Sequence, residues 1–244
     1  IGPLGFGGTG GLVASGLGRA NGECWVFGAR GGGDMSDSNL PERFMVWIDA
    51  VGGFLVCTAT QIVLGQATVE GTADVPIQGE LARRHAIVAR HGERYVIEPL
   101  QAVQLQQHAI HAPTLLSDRE ELLLGPSVQL RFRQPHALSH SARLEFVAGH
   151  RTVPAADGVL LFADSCVLGP SPHSHVVCRG WEQEVILFRR AGRLWCRTTQ
   201  AVEVNGKRQP SITPLDHHAR LSGDGFSLSI EPLEARRLGT SSAP

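Results

Sequence analysis

Residues 79–99 read GELARRHAIVARHGERYVIEP, and this stretch decides how the fold is interpreted. The polar run Arg83-Arg84-His85 comes directly before an apolar segment, and a His91-Gly92 turn signal separates that segment from a second one. Two short apolar runs joined by a glycine-containing turn predict a β-hairpin. The stretch therefore predicts a recognition loop placed ahead of two paired strands.

A two-residue period continues from residue 43 almost to the end of the chain. The alternating apolar sets are Phe44, Val46 and Ile48; Val128, Leu130 and Phe132; and Phe226, Leu228 and Ile230. Such alternation is typical of antiparallel strands with one buried face, whereas no segment keeps a convincing helical period. The predicted fold class is all-β.

The same layout of strands and turns occurs twice in the sequence. Residues 43–65 are echoed by 143–169, and 115–132 by 219–232. This repetition predicts two tandem antiparallel β-sandwiches. The predicted organisation is a Gly-rich disordered segment (1–41), sandwich one (42–134), a linker (135–142), sandwich two (143–234) and a tail (235–244).

The glycine-rich beginning of the chain contains thirteen of its 29 glycines. Its GFGGTG string, residues 5–10, has the letters of a dinucleotide-binding fingerprint but no preceding strand, so we interpret these glycines as linker. The sequence from Met35 resembles a natural start. Residues 1–34 are then hypothesised to be an upstream extension, which N-terminal mass spectrometry of the native protein would test.

The composition of the chain indicates which kinds of partner and which cellular compartment to expect. A net charge of -1 and a pI near 6.9 argue against nucleic-acid binding. The sequence has no run of 18 apolar residues, so we expect no membrane partner. Five scattered cysteines without a C-x-x-C pair or a secretion-type leader predict buried thiols and a cytoplasmic location.

The segments LARRHAIV (81–88) and VNGKR (204–208) carry most of the resemblance of this chain to a known family. Each half resembles a forkhead-associated (FHA) domain, an eleven-stranded β-sandwich that binds phosphothreonine peptides through loops at one end. The family pattern is G-R, S-x-x-H, N-G and L-x-x-G-D, in that order. The first half reads Gly65-Gln66, Ala82-Arg83-Arg84-His85, Gln106-Gln107 and Leu115-Leu116-Ser117-Asp118 at these places. The second reads Gly169-Pro170, a shortened SPHSH (171–175), Asn205-Gly206 and Leu221-Ser222-Gly223-Asp224.

The resemblance implies that the family's arginine and serine contact the phosphate, that its asparagine holds the peptide main chain, and that its histidine is structural. Here Gln66 offers a neutral amide and Ala82 offers no donor. Losing both charge-assisted bonds, each worth about 1.5–3 kcal/mol, predicts that the first half does not bind phosphate in the family's manner. The candidate binding residues are Gln66, Ala82, Arg83, Arg84, Gln106 and Asn205. The structural candidates are Gly65, His85, Asp118, Gly169, Gly206 and Asp224.

Several alternatives stay open at the level of sequence. Arg83 and Arg84 either form a displaced anion site or lie on a solvated loop face. Asn205-Gly206 either binds peptide or is a type I′ turn, and Pro170 stands where the family has its arginine.

The predicted function is a non-catalytic FHA-type protein interaction module, in a bacterial signalling or assembly context, with a protein or phosphopeptide partner and no cofactor. The alternatives are true phosphothreonine recognition by a rearranged loop and a rigid spacer. A hydrolytic or metal site built from His173, His175 and nearby serines is a further alternative.

Overall fold

The structure, a computed structural model, describes residues 40–136 and 139–233. The predicted disorder of the Gly-rich segment therefore lies outside the described residues, apart from residues 40 and 41, as do Cys24 and the predicted tail. No helix able to cross a membrane is present in the described residues, which are all strand, turn and loop. The all-β prediction is confirmed.

Twenty-two strands are present within the described residues. The first eleven are β1 (Arg43–Ile48), β2 (Gly52–Cys57), β3 (Gln61–Gln66), β4 (Val75–Ile77), β5 (Ala86–His91), β6 (Arg94–Pro99), β7 (Val103–Leu105), β8 (His108–Ile110), β9 (Thr114–Leu116), β10 (Glu121–Leu124) and β11 (Val128–Arg133). The next eleven are β12 (Ala142–Phe146), β13 (Gly158–Leu161), β14 (Ser165–Gly169), β15 (Val176–Val177), β16 (Val185–Arg190), β17 (Arg193–Arg197), β18 (Val202–Val204), β19 (Lys207–Gln209), β20 (Ile212–Leu215), β21 (Arg220–Gly223) and β22 (Phe226–Pro232).

The strand order repeats in the two halves. Two five-stranded sheets have the orders β4-β3-β5-β6-β9 and β15-β14-β16-β17-β20. A twelve-stranded sheet consists of two six-stranded parts, β13-β12-β11-β10-β7-β8 and β2-β1-β22-β21-β18-β19, joined where β2 and β13 run parallel. Each half of the chain thus supplies eleven strands, the number that the family resemblance implies.

Two hydrophobic cores define two sandwiches, and each core draws on strands from both halves of the sequence. The first sandwich packs the sheet of β4, β3, β5, β6 and β9 against a part that includes β12 and β13. The second packs the sheet of β15, β14, β16, β17 and β20 against a part that includes β1 and β2. The two halves have therefore exchanged their first hairpins, which the predicted segments 42–134 and 143–234 did not anticipate.

The exchanged hairpins explain the apolar composition of β2 and β13. Val56 on β2 points into the second core while its neighbour Leu55 points into the first. Likewise, Leu160 of β13 lies in the second core and Val159 in the first. Strands buried on both faces read as continuous apolar runs, which is how FLVC and VLLF appear in the sequence.

The remaining strand predictions match the observed faces. Phe44, Val46 and Ile48 all lie in the second core, and Val128, Leu130 and Phe132 all lie in the first. The sheets are antiparallel except at three pairs, β2 with β13, β3 with β4, and β14 with β15.

Candidate functional site

The loop between β4 and β5 is held against the end of β3 by close backbone packing. A Cβ added at Gly65 would lie 2.1 Å from the carbonyl oxygen of Arg83, so only glycine fits at this position. The Gln66 N–H donates to the Ala82 carbonyl at 2.9 Å, and the His85 N–H donates to the Leu64 carbonyl at 2.8 Å. The recognition loop predicted from the sequence is thus attached to the strand that carries Gln66.

His85 is buried and ties this loop to the loop between β6 and β7. Its Nδ1 accepts from the Ala82 N–H at 3.3 Å, so the other nitrogen, Nε2, carries the proton and donates to the Ala102 carbonyl at 2.8 Å. The His85 carbonyl accepts from the backbone N–H groups of Leu100 and Gln101. Both ring nitrogens serve the scaffold, so neither is open to a ligand.

The charges around the loop are largely cancelled. Arg83 forms an exposed ion pair with Glu70, a residue of the β3–β4 loop. The carbonyl of Arg83 also accepts from the Thr72 hydroxyl at 3.2 Å, which joins the two loops a second time. Arg84 is exposed and makes no ion pair or hydrogen bond within the described residues. We define the loop site as Gln66, Glu70, Ala82, Arg83 and Arg84.

An open groove of about 610 Å³ lies beside the loop site. Ala73, Pro76 and Ile77 form an apolar part of its lining, and Gln66 belongs to both the groove and the loop site. Val69 borders the groove and is fully exposed. Among the described residues, the site therefore combines an ion-paired arginine, one unpaired arginine and a cleft with an apolar part.

Gln106, a predicted binding residue, lies on the turn between β7 and β8. Gln106 and Gln107 have φ values of 48° and 67°, and the Gln106 N–H donates to the Glu121 carbonyl. Within the described residues no hydrogen bond or ion pair joins Gln106 to the loop site. Gln106 is therefore not joined to Ala82 or Arg83 by a hydrogen bond within the described residues.

Asn205 and Gly206 form the corresponding turn between β18 and β19. Their φ values of 51° and 74° are those of a type I′ turn. The Asn205 side-chain oxygen accepts from the Arg220 N–H at 2.8 Å, so this amide is used to hold β18 near β21. A Cβ added at Gly206 would meet only open space, so glycine is favoured there by its backbone conformation alone.

The second half places its equivalent of the recognition loop at residues 178–184. The register pairs Leu168 with Val185 as it pairs Leu64 with Ala86, so Glu184 stands opposite Gly169 as His85 stands opposite Gly65. A Cβ added at Gly169 would lie 2.8 Å from the Glu184 Cγ. The sequence alignment of residues 171–175 with the loop of His85 was wrong, because His175 precedes the fourth strand of its half and His85 precedes the fifth. An exposed glutamate, Glu184, thus stands where the first half has the buried His85.

The pairing of Asp118 with Asp224 was also wrong. Asp118 lies between β9 and β10 and accepts from Arg133 Nε at 3.1 Å and from the Gln134 N–H at 2.8 Å. Asp224 lies in the turn between β21 and β22, one strand later in the layout. The two aspartates are separated by nearly the same number of residues as other matched positions, although the loops of the two halves differ in length.

His175 cannot contribute to the hydrolytic or metal site considered from the sequence. It is buried, its Nδ1 accepts from the Val167 N–H at 3.0 Å, and its Nε2 contacts the Ser141 carbonyl at 3.2 Å. Burial, followed by the neighbouring His136, lowers the pKa of His175 to about 4. No group of three or more potential metal ligands occurs in residues 40–136 and 139–233.

Glu70 and Ala102 are the site residues that sequence reasoning missed. Glu70 lies thirteen positions before its partner Arg83, in a loop without a period. Ala102 takes part only through its carbonyl, which any residue could supply. Neither leaves a signal in the sequence.

No family model and no curated protein matches this sequence. One solved structure that it resembles is Mycobacterium tuberculosis EmbR in complex with a low affinity phosphopeptide. The two are 21% identical, with a TM-score of 0.29, and the match covers 37% of this chain and 24% of EmbR.

Proposed function

We propose that this chain is a non-catalytic protein interaction module whose loop site binds a protein or peptide without depending on phosphate. The observation that carries the proposal is the Arg83–Glu70 ion pair beside Ala82. A phosphate dianion entering here would meet the Glu70 carboxylate and would find no hydroxyl donor at Ala82. The apolar groove beside the loop supports recognition of a side chain rather than of a charge.

The proposal is tested by titrating the chain with peptides from a degenerate library, each made in threonine and phosphothreonine forms. We expect the two forms to bind within about twofold of each other. Glu70→Gln releases Arg83, and it is expected to favour the phosphorylated form by about tenfold, the effect of one charge-assisted bond. Glu80→Gln is the matched control, because it removes an exposed acid from the β4–β5 loop that carries Arg83 without removing the ion-pair partner of Arg83.

A tenfold preference of the unaltered chain for phosphothreonine, lost in Arg83→Ala, would contradict the proposal. Such a result would show that Arg83 leaves Glu70 and rebuilds a phosphate site. Absence of binding to both forms would move the search to folded protein partners.

Phosphothreonine recognition through Arg84 is the second candidate. It is favoured by the exposed guanidinium of Arg84, which has no ion-pair partner in the part of the chain that the structure describes. It predicts a phosphate preference that disappears in Arg84→Ala and survives in Arg83→Ala. We also propose a cytoplasmic location, which is supported by the buried thiols of Cys166, Cys178 and Cys196, none of which forms a disulfide within the described residues.

A further inference from the structure

The outer face of the second five-stranded sheet carries aromatic and arginine side chains. Val185, Leu187, Leu194 and Cys196 point into the second core, so the alternate residues of β16 and β17 point outward. The register places Phe188 beside Trp195 and Trp195 beside Pro214. Next to this row, Arg197 lies between Ile186 and Ile212. We call this surface the aromatic–arginine face: Ile186, Phe188, Arg190, Arg193, Trp195, Arg197, Ile212 and Pro214.

The face is open in the described residues. Ile212 is 47% exposed, Phe188 and Trp195 are only partly buried, and the three arginines are exposed. An apolar centre containing Trp and Phe, bordered by arginine, has the composition of protein interfaces, in which Trp and Arg contribute most of the binding energy.

The arginines are available to an acidic partner. Arg190 and Arg197 form no ion pair within the described residues, and Arg193 has one exposed contact, to Asp216 at 3.7 Å. The Arg190 guanidinium lies 5.3 Å from the centre of the Trp195 ring, and this cation–π contact orders the side chain before binding. An ordered guanidinium loses less conformational entropy when it binds a carboxylate.

The Trp195 indole nitrogen offers a further donor. Its Nε1 is buried and has no hydrogen-bond partner among residues 40–136 and 139–233. A partner carbonyl or carboxylate that reaches Nε1 would accept this hydrogen bond and relieve an unsatisfied polar group.

The equivalent face of the first sandwich shows that the fold does not require these residues. In β5 and β6 the same register pairs Ala89 with Val96, Ile87 with Glu98, and His91 with Arg94. Ala89, Val96 and Glu98 therefore occupy the places of Phe188, Trp195 and Arg197. Since the same backbone is built there without aromatic residues and with a glutamate, the composition of the second face needs an explanation other than folding.

We propose that the aromatic–arginine face is a docking surface for an acidic segment of a partner protein. Carboxylates of the segment would pair with Arg190 and Arg197, and an apolar side chain of the segment would pack on Phe188 and Ile212. The surface is on the second sandwich and does not involve the loop site. Stacking of a nucleobase is disfavoured, because Arg190 already covers the Trp195 ring.

The test uses the full chain and a displayed library of unphosphorylated peptides. We expect selection of peptides that combine several Asp or Glu residues with an apolar residue. The best acidic peptide is then titrated against the double variant Arg190→Glu with Arg197→Glu, and we expect affinity to fall at least about tenfold. The matched control, Arg94→Glu on the equivalent face of the first sandwich, is expected to stay within about twofold.

A second readout places the peptide on this face. Binding is expected to change the intrinsic tryptophan fluorescence, and Trp195→Phe is expected to remove that change while the other tryptophans remain. Thermal unfolding of every variant establishes that it is folded. If the charge-reversed double variant does not fold, Arg190→Gln with Arg197→Gln takes its place and the same loss of affinity is expected.

Two results would overturn the proposal. The first is failure to enrich acidic peptides, or equal binding by the folded double variant. The second is an oligothymidylate probe that binds as tightly as the peptide and depends on the same two arginines, which would identify the face as a nucleic-acid surface.

Discussion

The ring of His175 is enclosed by groups that favour its neutral form. Its Nδ1 accepts a backbone hydrogen bond from Val167, while His136 stacks at 5.8 Å between ring centres. Arg143 lies nearby and donates to the His175 carbonyl. Protonating Nδ1 would break the bond from Val167 and bury a charge beside another cation. The pKa of about 4 in the fold therefore lies below the ordinary value of 6.5.

This histidine predicts how stability depends on pH. The unfolded chain binds a proton at His175 between pH 6.5 and pH 4 and the folded chain does not, so the free energy of unfolding falls as pH falls through this range. The contribution is fully present above pH 6.5 and is smaller by about 3 kcal/mol at pH 4. Urea unfolding at pH 7 and pH 4 measures it, and His175→Gln is expected to show a correspondingly smaller difference between the two pH values.

The control for this prediction is His91→Gln, at an exposed position in β5. It is expected to keep the pH difference of the unaltered chain. An unchanged difference in His175→Gln would show that other groups cause the acid sensitivity.

Residue identities alone predicted part of the loop site. The sequence places no donor side chain at Ala82 and a neutral amide at Gln66, and the interpretation of both as lost phosphate contacts stays a prediction from the family resemblance. The partner of Arg83 could not be predicted, because an ion pair between two loops depends on where the loops lie in space.

At the scale of elements, the turn between β7 and β8 contains a local strain. Gln106 and Gln107 both adopt left-handed backbone conformations, which cost a residue with a Cβ roughly 1–2 kcal/mol. We expect Gln107→Gly to raise the free energy of unfolding by about 1 kcal/mol, because glycine adopts this conformation without the clash. Chemical unfolding of the two chains under the same conditions measures the difference.

Gln104→Gly is the matched substitution on the preceding strand, where the backbone is extended. It is expected to lower stability, because glycine weakens a strand interior. If Gln107→Gly also lowered stability, the turn would not have the strained conformation described here.

Hairpins were predictable to different degrees. The pair Asn205-Gly206 predicts its turn, because Asn and Gly are the residues that most readily adopt positive φ. Gln106-Gln107 carries no such signal, and its turn is imposed by the pairing of β7 with β10 and β8. Apolar periodicity predicted β1, β11 and β22 on their correct faces, since each strand buries one alternate set in a core.

At the scale of the whole molecule, the sequence repetition anticipated two copies of one layout but not the exchange of hairpins. The β1–β2 and β12–β13 hairpins are both apolar, and their pattern is the same whichever sheet they join. The sheet that each hairpin joins is determined by its pairing with the last strand of a half, Phe44 with Pro232 and Phe132 with Leu144. The spacing of apolar residues within a hairpin does not predict this pairing.

The exchange makes a specific prediction about two matched core residues. Phe44 comes from the first half of the sequence but packs in the second core, with Cys166, Cys178 and Cys196. Phe132 packs in the first core, with Cys57. Replacement of either by alanine removes a buried aromatic ring at a cost of about 3–5 kcal/mol, and it is expected to loosen the core that loses the ring.

Thiol labelling followed by peptide mapping distinguishes the two cores. Burial raises the pKa of Cys166 and Cys178 to about 12 and that of Cys196 to about 11, so these thiols react only when their core opens. Phe44→Ala is expected to speed labelling of these three cysteines ahead of Cys57, and Phe132→Ala is expected to reverse the order. Faster labelling of Cys166, Cys178 and Cys196 in Phe132→Ala than in Phe44→Ala would contradict the exchange.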